Sequence, residues 1–469
     1  MPGVAAQAGA RRQDLRRLLV IAAVVALLAG GCAAPREGGA GPVPREPGAG
    51  PVELRIATGT DLTNSGIRRK LIEAWDRDHQ DVTVKIVELA DDADRQRSQL
   101  AAALQAGNKD HYDIVNLDVT WTAEFAEQRL IAPLGAGLTK QLRGLWPRVR
   151  QTVQYEDKDW AVPWNTDVGL LYFRADLLGR DFAPDDYGDL TAAVARFRTA
   201  KDQQVSAGLI TQLSPYEGLT VNAHEAVWRH KGTIVDGDRS RVAERRARAG
   251  LDELAASFKP AGPYDQDNPP LPLLSADSLG ATETSSVERF LAGETLAMRN
   301  WPFALDRLAD AQTKRDGGPR AEYGVTTLPG PAALGGQNLA LTPGAPKEAR
   351  QLVADLTGTA AGRCLREGGF VPAKRAALEG SCGARLVAGD RPQQAEVPGP
   401  LHTAYDKALR AALETAKARP VTQYYAAVTR DIQEAVYEQL SARQRGKDVP
   451  KGADVESLAK RLDEALQGR

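Results

Sequence analysis

Two strand-like stretches, Glu53-Leu-Arg-Ile-Ala-Thr58 and Val82-Thr-Val-Lys-Ile-Val87, enclose a segment that carries Ile67, Leu71, Ile72 and Trp75 at helical spacing. Strand, helix and strand in that order open a β-α-β unit. Residues 95–106 repeat the helical pattern and Tyr112-Asp-Ile-Val-Asn-Leu117 the strand pattern, after which Asp118 begins a turn into a helix over 121–128. Alternation of this kind predicts an α/β fold on a largely parallel sheet covered on both faces. Ligands of such sheets bind beyond the carboxyl ends of the strands. Asp118 falls at such an end.

A second block begins at Trp160-Ala-Val-Pro-Trp-Asn-Thr-Asp-Val-Gly169 and runs into the apolar strand Leu170-Leu-Tyr-Phe173. Helical patterns follow over 190–199, 224–230 and 239–259, and residues 260–278, rich in Pro, Asp and Leu without periodicity, read as a loop. Next come a helix over 283–292, a strand over 295–299 and the aromatic turn Asn300-Trp-Pro-Phe303. Two further strand-like runs, 323–328 and 334–341, precede helices over 346–356, 404–418, 422–440 and 455–466. There is no internal repeat.

Toward the N-terminus, Arg11, Arg12, Arg16 and Arg17 precede an unbroken apolar run from Leu18 to Ala29, then Gly30, Gly31 and Cys32. The run is shorter than the ~20 residues that span a bilayer, so residues 1–31 read as a signal peptide. The pattern resembles a bacterial lipobox with Cys32 as the acylated residue, although Ala29 stands where leucine is usual. An ordinary secretory signal with an incidental cysteine is the competing reading, and both the general and the paired-arginine export routes fit. Residues 32–51 are mostly Gly, Pro, Ala, Arg and Glu, the composition of a flexible tether.

Residues 1–31 carry four arginines and Asp14, so their removal takes the formal net charge from −1 to −4. That balance argues against a nucleic-acid partner. No second long apolar run follows, so nothing beyond the anchor is expected to cross a membrane. Cys364 and Cys382 are left over in an exported chain and suggest one disulfide, two buried free thiols being the alternative.

The blocks YDIVNLDVTWTAEFAEQRLIAPL, WAVPWNTDVGLLYFRADLL, YEGL, FLAGETLAMRNWPFAL, YGVTTLPG, LGGQNLAL and RPVTQYY occur in one order over about 53–440. Together they resemble the family 1 extracellular solute-binding proteins of ABC sugar importers, in the trehalose- and maltose-binding branch. The resemblance implies a two-lobed periplasmic-binding-protein fold with the ligand cleft between the lobes. Three crossover segments are expected near 162–166, 326–329 and 369–373. Lobe I would then take residues 52–163 and 329–370, and lobe II residues 164–328 and 371–469. The same resemblance implies a monomer without cofactor or metal, held on the outer face of the cell membrane through Cys32, that delivers a sugar to permease subunits and is not an enzyme.

A sugar presents hydroxyls around faces that carry C–H groups, so its site needs carboxylates and amides in the ring plane and aromatics against the faces. Asp118 and Asp167 match positions that bind hydroxyls in the relatives, and Asn165, two residues before Asp167, points the same way in an extended segment. The competing reading of Asp118 is a helix N-cap. Trp301 is the stacking residue, core filling being its alternative. Glu217 and Arg419 match family motifs that reach hydroxyls from the second lobe, and Arg97 matches across gaps; solvated surface charge is the alternative for all three. Gly336 and Gln337 lie in a block where backbone approaches the sugar, which glycine permits. Some relatives carry tryptophan in place of Gln337 and tyrosine in place of Phe303.

Two rival functions remain open from residues alone. A secreted glycoside-active enzyme would also bring carboxylates and aromatics to a cleft. The chain has no GxSxG, GxxxxGK[ST] or HExxH motif, and that counts mildly against an enzyme. The same fold could also bind a solute other than sugar, such as a metal complex or oligopeptide.

Overall fold

Aliphatic and β-branched residues make β1 (Val52–Gly59) an interior strand, with Leu54, Ile56 and Ala57 wholly buried. It pairs in parallel with β2 (Val82–Leu89) along its full length and with β3 (Ile114–Asp118) at Ile56 and Ala57. Between β1 and β2 runs α1 (Ile67–Asp78), which buries Ile67, Leu71, Ile72 and Trp75, the stripe its spacing demands. The next helix, α2 (Ala93–Gln105), starts where the Asp92 carboxylate accepts the Arg95 N–H. A short α3 (Thr122–Glu127) follows β3.

The computed structural model describes residues 51–469, apart from 62, 64, 91, 107–110, 198–201, 264–268, 315–320, 384–398 and 451. The signal segment, Cys32 and the tether up to residue 50 lie outside the described residues.

Past β3 the sheet ceases to be parallel, contrary to the expectation. Strand β4 (Ala161–Val168) belongs to the larger sheet, and the chain then leaves for a smaller one built from β5 (Leu170–Arg174), β6 (Ala207–Ile210), β7 (Thr295–Asn300) and β8 (Tyr323–Thr327). It returns as β9 (Leu334–Leu341), antiparallel to both β3 and β4, and β10 (Val371–Pro372) adds antiparallel to β4. The larger sheet is ordered β10-β4-β9-β3-β1-β2 and the smaller β8-β5-β7-β6. A strand that re-enters from the other sheet arrives from the opposite end, so it pairs antiparallel.

The first passage between sheets is Gly169 alone. A Cβ there would come within 2.8 Å of the Arg299 guanidinium and the Glu225 carboxylate. Those two groups form a buried ion pair with contacts of 2.8 and 3.1 Å, and Glu225 also accepts the Ala333 N–H at 2.9 Å on the second passage. Residues 162–166 lie within strand β4, and residues 165–168 and 371–372 pair in the larger sheet. Separate apolar cores underlie the parts: one around Ile56, Ile114 and Leu339, one around Leu219, Leu296 and Ile432, and one around Tyr172, Phe290 and Leu413.

Helix α4 (Glu217–Arg229) begins seven residues before the expected start at 224. Ala304–Lys314 and Thr359–Glu367 are helices that periodicity did not reveal. Near the C-terminus, α5 (Gly399–Thr415) packs on β8 and α6 (Tyr425–Gln444) on α4.

Candidate functional site

A cavity of about 180 Å³ lies among the end of β3, the β4–β9 pair, the start of α4 and the turn after β7. Asp118, Asp167, Glu217, Trp301, Gly336, Gln337 and Arg419 line it. Residues far apart in the chain meet here because β9 inserts between β3 and β4, pairing Gln337 with Asp118 on one side and with Asn165 on the other.

Asp118 does not cap α3, whose N-cap is Trp121. Its Oδ1 accepts the Thr120 N–H at 3.0 Å and hydroxyl at 2.8 Å, which leaves Oδ2 without a hydrogen bond among the described residues. Asp167 accepts the Asn165 amide on Oδ2 at 3.1 Å, and its Oδ1 is likewise free among the described residues. Burial raises the Asp167 pKa to about 7, with Arg68 opposing the shift and Asp118 adding to it. Asn165 is itself buried behind the wall, its carbonyl accepting from Arg68.

Glu217 and Arg419 lie at the cavity but are spent on each other. The Glu217 carboxylate accepts from Arg419, from the Tyr425 hydroxyl at 2.6 Å and from Thr429 at 2.7 Å. Burial still pushes Glu217 up to about 7, against the pull of Arg419. Arg97 is not at the cavity; it pairs with Glu124 at 2.8 Å.

Trp301 lies under the Arg299 guanidinium, 4.0 Å from the ring centroid, and its indole N–H donates to Glu283 at 3.4 Å. Gly335 and Gly336 are needed by the protein itself. A Cβ on Gly335 would sit 3.1 Å from the Trp301 ring, and Gly336 has φ +120° with its Cβ position 2.6 Å from the Asn165 carbonyl. Gln337 turns its carbonyl to Arg68 and, at 3.3 Å, to the Asn116 amide.

Sequence reasoning passed over Arg68, Tyr216 and Glu283, which also line the cavity. Tyr216 donates to Glu283 at 2.6 Å. Arg68 and Glu283 sit in ordinary amphipathic helix patterns, and no local signal separates them from surface charges.

A family model described as bacterial extracellular solute-binding protein matches residues 70–377. A probable ABC transporter-binding protein of Deinococcus radiodurans is 29% identical over 306 residues, 62% of this chain and 68% of the relative. Among solved structures, maltose-bound T. maritima MalE3 is similar with a TM-score of 0.69 at 23% identity, covering 89% of this chain and 99% of that one. The GacH receptor of Streptomyces glaucescens, solved unliganded and with acarbose, gives 0.67 at 18% identity, over 89% and 99% of the two chains. These likenesses show a two-lobed fold.

Proposed function

Since the chain belongs to the bacterial extracellular solute-binding protein family, we propose that it captures a neutral sugar between its two lobes and delivers it to the permease of an ABC importer. The observation that carries this reading is the cleft wall, where Asp118 and Asp167 each keep one carboxylate oxygen unengaged among the described residues, in the cavity that Trp301 also lines. A carboxylate accepting a hydroxyl proton makes a charge-assisted bond, and an indole face suits the C–H side of a pyranose. A trehalose- or maltose-like disaccharide is the ligand of choice. The curated relative's description as ABC transporter-binding and the maltose in MalE3 support the direction. Glu217 and Arg419 serve as a braced pair in the wall of the site, and Gly336 and Gln337 as its floor.

In this reading residues 1–31 are removed on export, lipid on Cys32 anchors the protein outside the cell membrane, and residues 32–51 give it reach. The lobes follow the two sheets. Cys32→Ser should release the protein from the membrane fraction, and unchanged fractionation counts against the anchor.

Calorimetric titration with trehalose, maltose and glucose tests the sugar, with Trp301 fluorescence as a second readout lost in Trp301→Phe. Saturable binding without product supports a receptor. Hydrolysis of the disaccharide, or binding of none of the three, overturns the reading.

A further inference from the structure

Arg68 stands one residue inside α1 and is only 4% exposed, yet it lines the cleft. Its guanidinium lies 4.1 Å from the centre of the Phe370 ring and 4.8 Å from that of Trp164. Nη2 donates to Asn165 Oδ1 at 2.6 Å and to Gln337 Oε1. Among the described residues, Nε is buried without a partner and Nη1 makes no hydrogen bond. The carboxylates of Asp61 and Asp167 act on it electrostatically, but among the described residues neither forms an ion pair with it. Burial lowers its pKa to about 10, the two carboxylates opposing, so it remains a cation.

A buried cation whose hydrogen bonds, among the described residues, go only to neutral amide oxygens is costly to maintain, because its desolvation is incompletely repaid. The arrangement becomes intelligible from what stands next to it. Asn165 accepts from Arg68 on its carbonyl and donates to Asp167 Oδ2 on its amide, so one side chain orients both charged groups. What is left over is a donor on Arg68 and an acceptor on Asp167, both lining one cavity. A hydroxyl is donor and acceptor at once, and an adjacent hydroxyl pair can take both positions. An anionic ligand group would meet Asp167 and Asp118, and a cationic one would meet Arg68.

On the reading that the ligand is a sugar, we infer that Arg68 is the residue that reads its hydroxyl pattern: Nη1 donates to one ring hydroxyl, and that hydroxyl or its neighbour donates to Asp167. Gln337 and Asn165 are the positioning residues that hold the guanidinium in place for this.

The test is a cycle between side chain and ligand, using Arg68→Met and Arg68→Lys with maltose, trehalose and the monodeoxy forms of each. For one particular hydroxyl, its removal should weaken binding to the parent by on the order of 10- to 100-fold. Arg68→Met should bind the complete sugar and that deoxy form within about twofold of each other, the mark of a coupled pair. Arg68→Lys keeps the charge and the helix but not the planar fork, so it should fold like the parent and keep only part of the preference. A merely structural Arg68 would weaken binding to every form alike and leave the hydroxyl preferences of the parent intact in both variants. That result overturns the assignment alone. A parent that binds neither maltose nor trehalose removes the sugar reading and this assignment together.

Discussion

Asp118 Oδ1 and Arg419 Nη2 stand 3.5 Å apart, joining the end of β3 in the larger sheet to the segment after α5, which packs on the smaller one. Gln433 on α6 donates to Asp94 on α2 at 3.1 Å and makes a second link of the same kind. Arg419 is also the partner of Glu217, so a single guanidinium connects the Asp118 carboxylate at the cavity to the buried Glu217 carboxylate. The residues of the cleft therefore divide by what they have left to offer.

Asp118→Asn and Asp167→Asn should each lower sugar affinity by about one to two decades while the melting temperature stays near that of the parent. Each carboxylate has an oxygen unengaged within the described residues, so binding loses a charge-assisted bond and the fold loses little. Calorimetry and thermal melting on the same samples check this. A large fall in melting temperature with unchanged affinity would assign Asp118 to its Thr120 turn instead.

Glu217→Ala is expected to behave in the opposite way. It leaves the buried Arg419 guanidinium and the Tyr425 and Thr429 hydroxyls without their acceptor. Breaking a buried pair from one side costs roughly 3–5 kcal/mol. Urea unfolding should show that loss, with Glu217→Gln affected less because it still accepts hydrogen bonds.

The pKa of Asp167, raised by burial to about 7, makes two pH effects of opposite sign. The folded chain keeps this proton where the unfolded chain has lost it, so the contribution of Asp167 to ligand-free stability should be full below about pH 4 and decline as pH rises to about 7. Glu217 acts in the same direction, so part of the slope should survive in Asp167→Asn. Sugar affinity should instead rise with pH through 7, as the ionised acceptor forms, and Asp167→Asn should flatten that profile. Titrations between pH 5.5 and 8 would show it; a parent profile already flat would mean that the ionised carboxylate is not the acceptor.

Cys364 and Cys382 are disulfide-bonded, with Cα atoms 4.5 Å apart, and tie the helix Thr359–Glu367 to the segment after β10. The loop they close spans 18 positions, which in the chain-entropy model is worth about 3 kcal/mol. Mass mapping of unreduced protein should recover the linked peptides. Cys364→Ser should lower the unfolding free energy by an amount near that figure, read from urea unfolding.

Much of this was legible in the chain before any coordinates. The β-α-β opening follows from periodicities contained within ten or so residues, because a strand or helix face is set by neighbours two to four positions away. The motif blocks placed Asp118, Asp167 and Trp301 at the cleft. Sheet membership was not legible, since whether residues 165–168 pair with the returning β9 depends on a strand far along the chain. Nor were the roles of individual charges. Arg68 meets Asn165 and Gln337 across 97 and 269 positions of sequence, and Glu217 meets Tyr425 across 208. Local pattern determines which face of an element is apolar. Which polar group on the other face is consumed by a partner, and which is left for a ligand, is decided only when distant elements come within hydrogen-bond reach.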